Sequence, residues 1–194
     1  MSAAFIKNRA DLFRRKYWDD SFPVEIEDII ELKLKLDIIP VSRLQKLCDT
    51  DALITSDWLS VYVDSEKYLD NRYKNRLRFS LAHEIGHFIL HRGLYNTFGI
   101  KNIEDFYKFI ELIPLEQYSY FEIQANKFAS YLLVPREELK IERENLIKHP
   151  SLVALINSGK LKDETINSYL ANPISKIFGV SEEVIEIALN EILS

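Results

Sequence analysis

Cysteine is almost absent. Cys48 is the single one in 194 residues, so the chain can form no internal disulfide and no cysteine-rich zinc site, and Cys48 itself is expected to be a buried apolar residue. Any metal would fall to histidine and carboxylate. Glycine is scarce too, five in the chain, and there is no Gly/Ser-rich run, low-complexity stretch or internal repeat, which argues against flexible joints. No window of about 18 apolar residues occurs, and the N-terminal MSAAFIKNRADLFRRKYW carries charge where a secretory leader needs an apolar run. A cytoplasmic protein without a membrane partner is expected. An excess of positive charge is also missing: the net charge of -5 opposes general affinity for nucleic acid. The local basic runs, Lys7 to Lys16 and Lys67 to Arg78, read as solvated surface, although the second could attract acidic substrate segments.

What is present suits one domain spanning 1–194, since 47% hydrophobic and 12% aromatic residues can build a substantial core. Pro23 followed by VEIEDIIELKLKL predicts a helix over 24–36. Ile38 to Val41 and ALITSDWLSVYVD predict strands, the latter a pair joined by a turn at Ser56-Asp57. Helices are expected over 75–92, ended by Gly93, over 102–112, capped by Asn102 and stopped by Pro114, and from about Tyr120 to Val134. The rest reads as helices broken near Pro150, Gly159 and Pro173.

Histidine is rare as well, four in all, yet three of them stand four residues apart in FSLAHEIGHFILHRG as His83, His87 and His91. On a helix, residues four apart differ by about 40° around the axis, so His83 and His87 present their rings to one point. The pattern His-Glu-x-x-His lets both histidines bind a zinc ion while Glu84 reaches the attacking water. The competing reading is a pair of core histidines satisfied by hydrogen bonds. Ala82, Ile85, Phe88 and Ile89 place the cluster on an interior helix, and Gly86 makes sense where another backbone must approach closely. A third ligand is needed, and Glu122 is the candidate. In FEIQANKFASYLLVP it shares a face with Ala125, Asn126 and Ala129, small residues that would let this helix approach Gly86. His91 lies about 80° from His83, too far round to join the same ion, and is expected behind the ligands or at the surface.

HEIGHFILH followed by EIQANKFASYLLVP resembles the ImmA/IrrE family of metallopeptidases, and residues 20 to 136 are similar to the family's approach sequence and paired motifs. The resemblance implies an α+β, zincin-like fold, a small mixed sheet packed against several helices. It also implies zinc on His83, His87 and Glu122 with Glu84 as catalytic carboxylate, and a helix-turn-helix repressor as substrate. About 20 residues precede the match, so that repressor is expected as a separate chain. The catalytic core would cover about 20–136 and a C-terminal helical extension 137–194, where NPISKIFGVSEEVIEIALNEILS is similar to the family's closing helix pair but has Ala188 where relatives commonly carry arginine. Glu182, Glu183, Glu186 and Glu191 make this pair too acidic for a DNA-binding element. Two function classes remain: a zinc endopeptidase acting as an anti-repressor, and a zinc-stabilised module that sequesters a repressor without cutting it. Two placements are further expected: a lid at 102–114, and the strand Leu59 to Asp64 along the cleft, pairing with extended substrate.

Overall fold

Ser2 begins the first helix by accepting the Phe5 N–H on its hydroxyl, and α1 (Ala3–Tyr17) then buries Ile6, Ala10 and Phe13, one every turn, against the helix called α8 below. This computed structural model describes residues 1–99, 103–157 and 163–193. After α1 the chain forms a single α-turn, α2 (Ile26–Asp28), which widens into a π-helical segment over Ile29–Leu34. The helix expected over 24–36 is therefore irregular. Its wider turn buries Ile29 and Ile30 together and leaves Leu32 59% exposed, which a regular 3.6-residue helix with all its apolar residues inward would not do. Lys35, at φ 60°, closes it.

Three strands follow: β1 (Asp37–Val41), β2 (Ala52–Ile54) and β3 (Ser60–Asp64), with α3 (Leu44–Cys48) between the first two. The sheet is mixed, in the order β1-β3-β2, with β1 parallel and β2 antiparallel to β3. The strand expected along the cleft, Leu59 to Asp64, is thus the central one, covered on both edges. The strand beside the site is β2. Pairing of β1 with β3 joins segments separated by a whole helix and strand, which the local pattern does not encode.

Beyond the sheet come α4 (Ser65–Tyr68), a 3₁₀ turn (Asn71–Tyr73), α5 (Lys74–Leu90), α6 (Arg92–Phe98), α7 (Ile103–Leu112) and α8 (Leu115–Leu133). Gly93 sits inside α6 and does not end α5; the break comes at His91, whose N–H still bonds the His87 carbonyl. Asn102 lies outside the described residues, but α7 ends at Leu112 as expected, and α8 starts immediately behind Pro114 rather than near Tyr120. The four remaining helices are α9 (Arg136–Ile147), α10 (Pro150–Asn157), α11 (Asp163–Phe178) and α12 (Glu182–Leu193). Gly159 falls outside the described residues. Pro173 does not break α11. Leu170, Ala171, Ile174 and Phe178 are all buried around it, and at roughly 1.5–3 kcal/mol for each large apolar side chain this outweighs the ~3 kcal/mol proline cost. Gly179, at φ +62°, ends the helix where an added Cβ would strike the Arg78 guanidinium.

The basic runs are mostly exposed, as expected, with Arg9, Arg15, Lys16, Arg72 and Lys74 at the surface, but a few of their members are structural. Arg14 is buried and bonds Glu138 at 3.2 Å; Lys67 and Arg76 both hold the buried Asp51. Arg78, 4% exposed, donates to the Gly179 carbonyl at 2.8 Å and to Glu25 at 3.0 Å, tying α5 to both ends of the chain. Cys48 is buried as expected. No helix among the described residues is long and apolar enough to cross a membrane.

Candidate metal centre

Leu77, Leu81, Ala82 and Ile85 seat α5 in the core, which leaves His83 and Glu84 lining a cleft beside α8, with His87 buried behind them. The approach of the two helices depends on Gly86. A Cβ built there would lie 3.1 Å from both the Cα and the carbonyl oxygen of Ala125, so no other residue permits this separation without a shift. Glu122, one turn before Ala125, is thereby carried to the histidines. Its Oε2 is 3.2 Å from His83 Nε2 and its Oε1 3.6 Å from His87 Nε2, while the two Nε2 atoms are 2.9 Å apart.

Those separations suit a metal. Four-coordinate zinc with arms of about 2.0–2.1 Å has ligand–ligand edges of about 3.3 Å, and the three distances bracket that value. Donor atoms of His83, Glu84 and His87 also lie within 4.8 Å of one another. Glu84 fits the donor set less well than Glu122, because its Oε1 is 4.0 Å from His83 Nε2 and its Oε2 accepts the Ile54 N–H of β2 at 2.8 Å. The outer nitrogens are also engaged: His83 Nδ1 meets Asn126 Oδ1 at 2.8 Å, and His87 Nδ1 meets His91 Nδ1 at 3.0 Å.

The electrostatics match this geometry. Burial pushes the Glu84 carboxyl up to about 7, against the opposing pull of His83 and the Ile54 N–H. Burial, with His83 and His91 alongside, holds His87 well below the ordinary imidazole value and therefore neutral. His83 goes the other way, because Glu122, Glu84 and Asn126 outweigh the burial that disfavours its charged form.

Among the side chains near the ligands in sequence, the structure separates near from far. His91 is buried and stacked on Phe121 at 3.9 Å, behind His87 and not at the surface. The Tyr118 hydroxyl hydrogen-bonds Glu122, and burial together with Glu122 and Glu84 raises its pKa, so it remains a donor. Tyr120 is 60% exposed. Sequence reasoning placed Asn126 on the ligand face without a role and left Gln124 unremarked, because a residue two beyond Glu122 stands about 200° round the helix, off that face. The helix α7 buries Phe106 and Phe109, and Phe109 packs near Tyr118 and Phe121, so its apolar face is committed to the core beside the site.

The cleft has a volume of about 900 Å³ and runs from His83, Glu84 and Glu122 past Ile123 to Val184 and Ile187 of α12. That helix is anchored by Glu191, which accepts from the Tyr131 hydroxyl and from Arg136 at 2.7 Å. Ala188 is fully buried in α12, leaving no room for an arginine without rearrangement; the buried guanidinium at this junction belongs to Arg136. No curated protein matches the chain. A family model does, that of the peptidase family described as the IrrE N-terminal-like domain, over residues 70–190. The match begins just ahead of α5 and reaches into α12, later at both ends than the stretch 20–136 that carries the sequence resemblance. Because it covers more than half of the chain and includes both helices of the centre, the protein belongs to this ImmA/IrrE family of metallopeptidases, with their zincin-like fold.

Proposed function

We propose that the protein is a zinc-dependent endopeptidase in which His83, His87 and Glu122 hold the metal and Glu84 is the catalytic carboxylate. The observation that carries this reading is the convergence of three donors from two helices at tetrahedral spacing, with a fourth, buried carboxylate beside them but outside the triangle. A divalent ion held there would supply Lewis acidity, acidifying the attacking water and polarising the scissile carbonyl. Glu84 is anchored through Oε2 by the Ile54 N–H, which leaves Oε1 to take the water's proton and to deliver it to the departing amine. A carboxyl pushed up to about 7 is suited to both transfers near neutral pH.

The substrate we propose is a helix-turn-helix repressor supplied as a separate chain in the cytoplasm, with no direct contact to nucleic acid. Family membership supports the peptidase, the open cleft supports a polypeptide occupant, and the sequence resemblance supports the repressor. Elemental analysis after zinc reconstitution should give one ion per chain and none in His87→Ala; equal content in both would sink the ligand set. Glu84→Gln should keep the metal and repressor binding while cleavage falls by ~10²–10⁴. If that variant relieves repression in cells as well as the unmodified protein, sequestration is the function and not proteolysis.

A further inference from the structure

A histidine that binds metal through Nε2 must carry its hydrogen on Nδ1, and something in the protein has to select that tautomer. At His83 the selection is direct, since Asn126 Oδ1 is an acceptor 2.8 Å from Nδ1. At His87 it passes through a second ring. The Nε2 of His91 lies 3.2 Å from Gln124 Oε1, an oxygen that accepts and cannot donate, so this nitrogen bears the hydrogen. The Nδ1 of a neutral His91 then has a lone pair. It is 3.0 Å from His87 Nδ1, and two nitrogens at that distance share one hydrogen, which must come from His87. The Nε2 of His87 is left with its lone pair directed toward His83 and Glu122.

We propose that His91, oriented by Gln124 and by its stack on Phe121, is a positioning residue that sets the tautomer of His87 and with it the metal affinity of the centre; this rests on the ligand assignment proposed above. Three constraints hold the ring in place: the backbone N–H of His91 bonds the His87 carbonyl at 2.9 Å, the rings of His91 and Phe121 are within 17° of parallel, and the residue is only 4% exposed. Water is therefore no substitute for Gln124 as the orienting partner. Support by a neutral imidazole, where a carboxylate is a common partner for a ligating histidine, adds no negative charge behind the site.

The test uses the full chain with zinc as the probe, in competition with a chromogenic chelator. His91→Phe keeps the ring stack and removes the acceptor, and zinc affinity should fall about 10–100-fold. His91→Asn places Oδ1 where Nδ1 was, and affinity should return to within about threefold of the unmodified protein if an acceptor is what matters. A packing role gives the reverse order, with phenylalanine tolerated and asparagine harmful, and that result overturns the proposal. Imidazole ¹⁵N spectra of the unmodified, zinc-loaded protein give a second readout that needs no variant: hydrogen on Nε2 of His91 and on Nδ1 of His87 is expected, and hydrogen on Nδ1 of His91 refutes the relay. Loss of zinc in His87→Ala with full affinity in His91→Phe would refute the positioning role and leave the ligand set standing. Full affinity in His87→Ala would remove the ligand set and the relay with it.

Discussion

Replacing Gly86 by alanine sets two effects of known size against each other. Within a helix, alanine is favoured over glycine by about 1 kcal/mol, so propensity alone predicts a stabilised protein. Packing opposes it. The new Cβ would lie 3.1 Å from the Ala125 Cα and carbonyl oxygen and 3.3 Å from the Phe128 Cβ, whereas carbon atoms rest at about 3.5–4.0 Å. The atoms in the way are mostly backbone, which cannot rotate aside, so α8 has to retreat by roughly 0.5 Å. Overpacking of this kind costs about 1–3 kcal/mol, so the net change should be a loss of about 1 kcal/mol, or about 2–4 °C in Tm for a chain of this size. The larger consequence falls on the metal centre. Glu122 moves with α8, and its 3.2 and 3.6 Å separations from the two histidines open by a similar amount, near the ~0.5 Å tolerance of a preorganised site. Zinc affinity should fall about tenfold, measured by chelator competition, with stability read by denaturant unfolding of the metal-free protein. A variant with raised Tm and unchanged zinc affinity would refute this account of why the glycine is there.

Three further outcomes follow from buried polar groups away from the metal. Asp64 caps α4, accepting the Glu66 and Lys67 N–H groups, and also accepts the Gln45 N–H at 3.0 Å; burial pushes its pKa up, but these donors and the Lys67 charge hold it below 3.8. Its ionised form therefore stabilises the fold above the unfolded carboxyl pKa and stops doing so as pH falls through the lower folded value, so the advantage over Asp64→Asn in urea titrations should be constant near neutrality and shrink below about pH 3.8. Arg78→Lys cannot reproduce the fork that reaches Glu25 and the Gly179 carbonyl together and should lower stability by about 1.5–3 kcal/mol, seen in urea unfolding; a change under about 0.5 kcal/mol would count against a structural role. Arg136→Ala removes bonds to Glu191, Ser130 and the Val134 carbonyl, and hydrogen exchange in α12 should speed up more than in α5; uniform change across both helices would contradict a local anchor.

The two helices of the candidate centre were legible because their constraints are local: a His-Glu-x-x-His spacing, a glycine opposite alanines, and a carboxylate on the small-residue face. The strand segments were legible for the same reason, but their order was not, because the parallel pairing of β1 with β3 is decided by contacts across the chain. Charged residues were the most misleading. Lys67, Arg76 and Arg78 have the composition of a solvated surface run, yet two of them surround Asp51 and the third is buried against Gly179. Pro173 misled in another way, since a local helix-breaking rule was overridden by apolar burial on both sides of it. The position of His91 was open because α5 ends at that residue, and a ring at a helix terminus is not placed by helical angle alone.

In the proposed peptidase, chemistry and recognition fall on different parts of the chain. The proposed reacting groups stand on α5 and α8, fixed by glycine and alanine at the crossing, while the far wall of the cleft is the half-exposed side of α12, more than sixty positions later. Substitutions at Val184 and Ile187 can alter the shape and charge offered to a polypeptide while every hydrogen bond around the histidines stays as it is. Under the proposed function, a change of target can therefore be made on α12 alone, without touching the donors on α5 and α8.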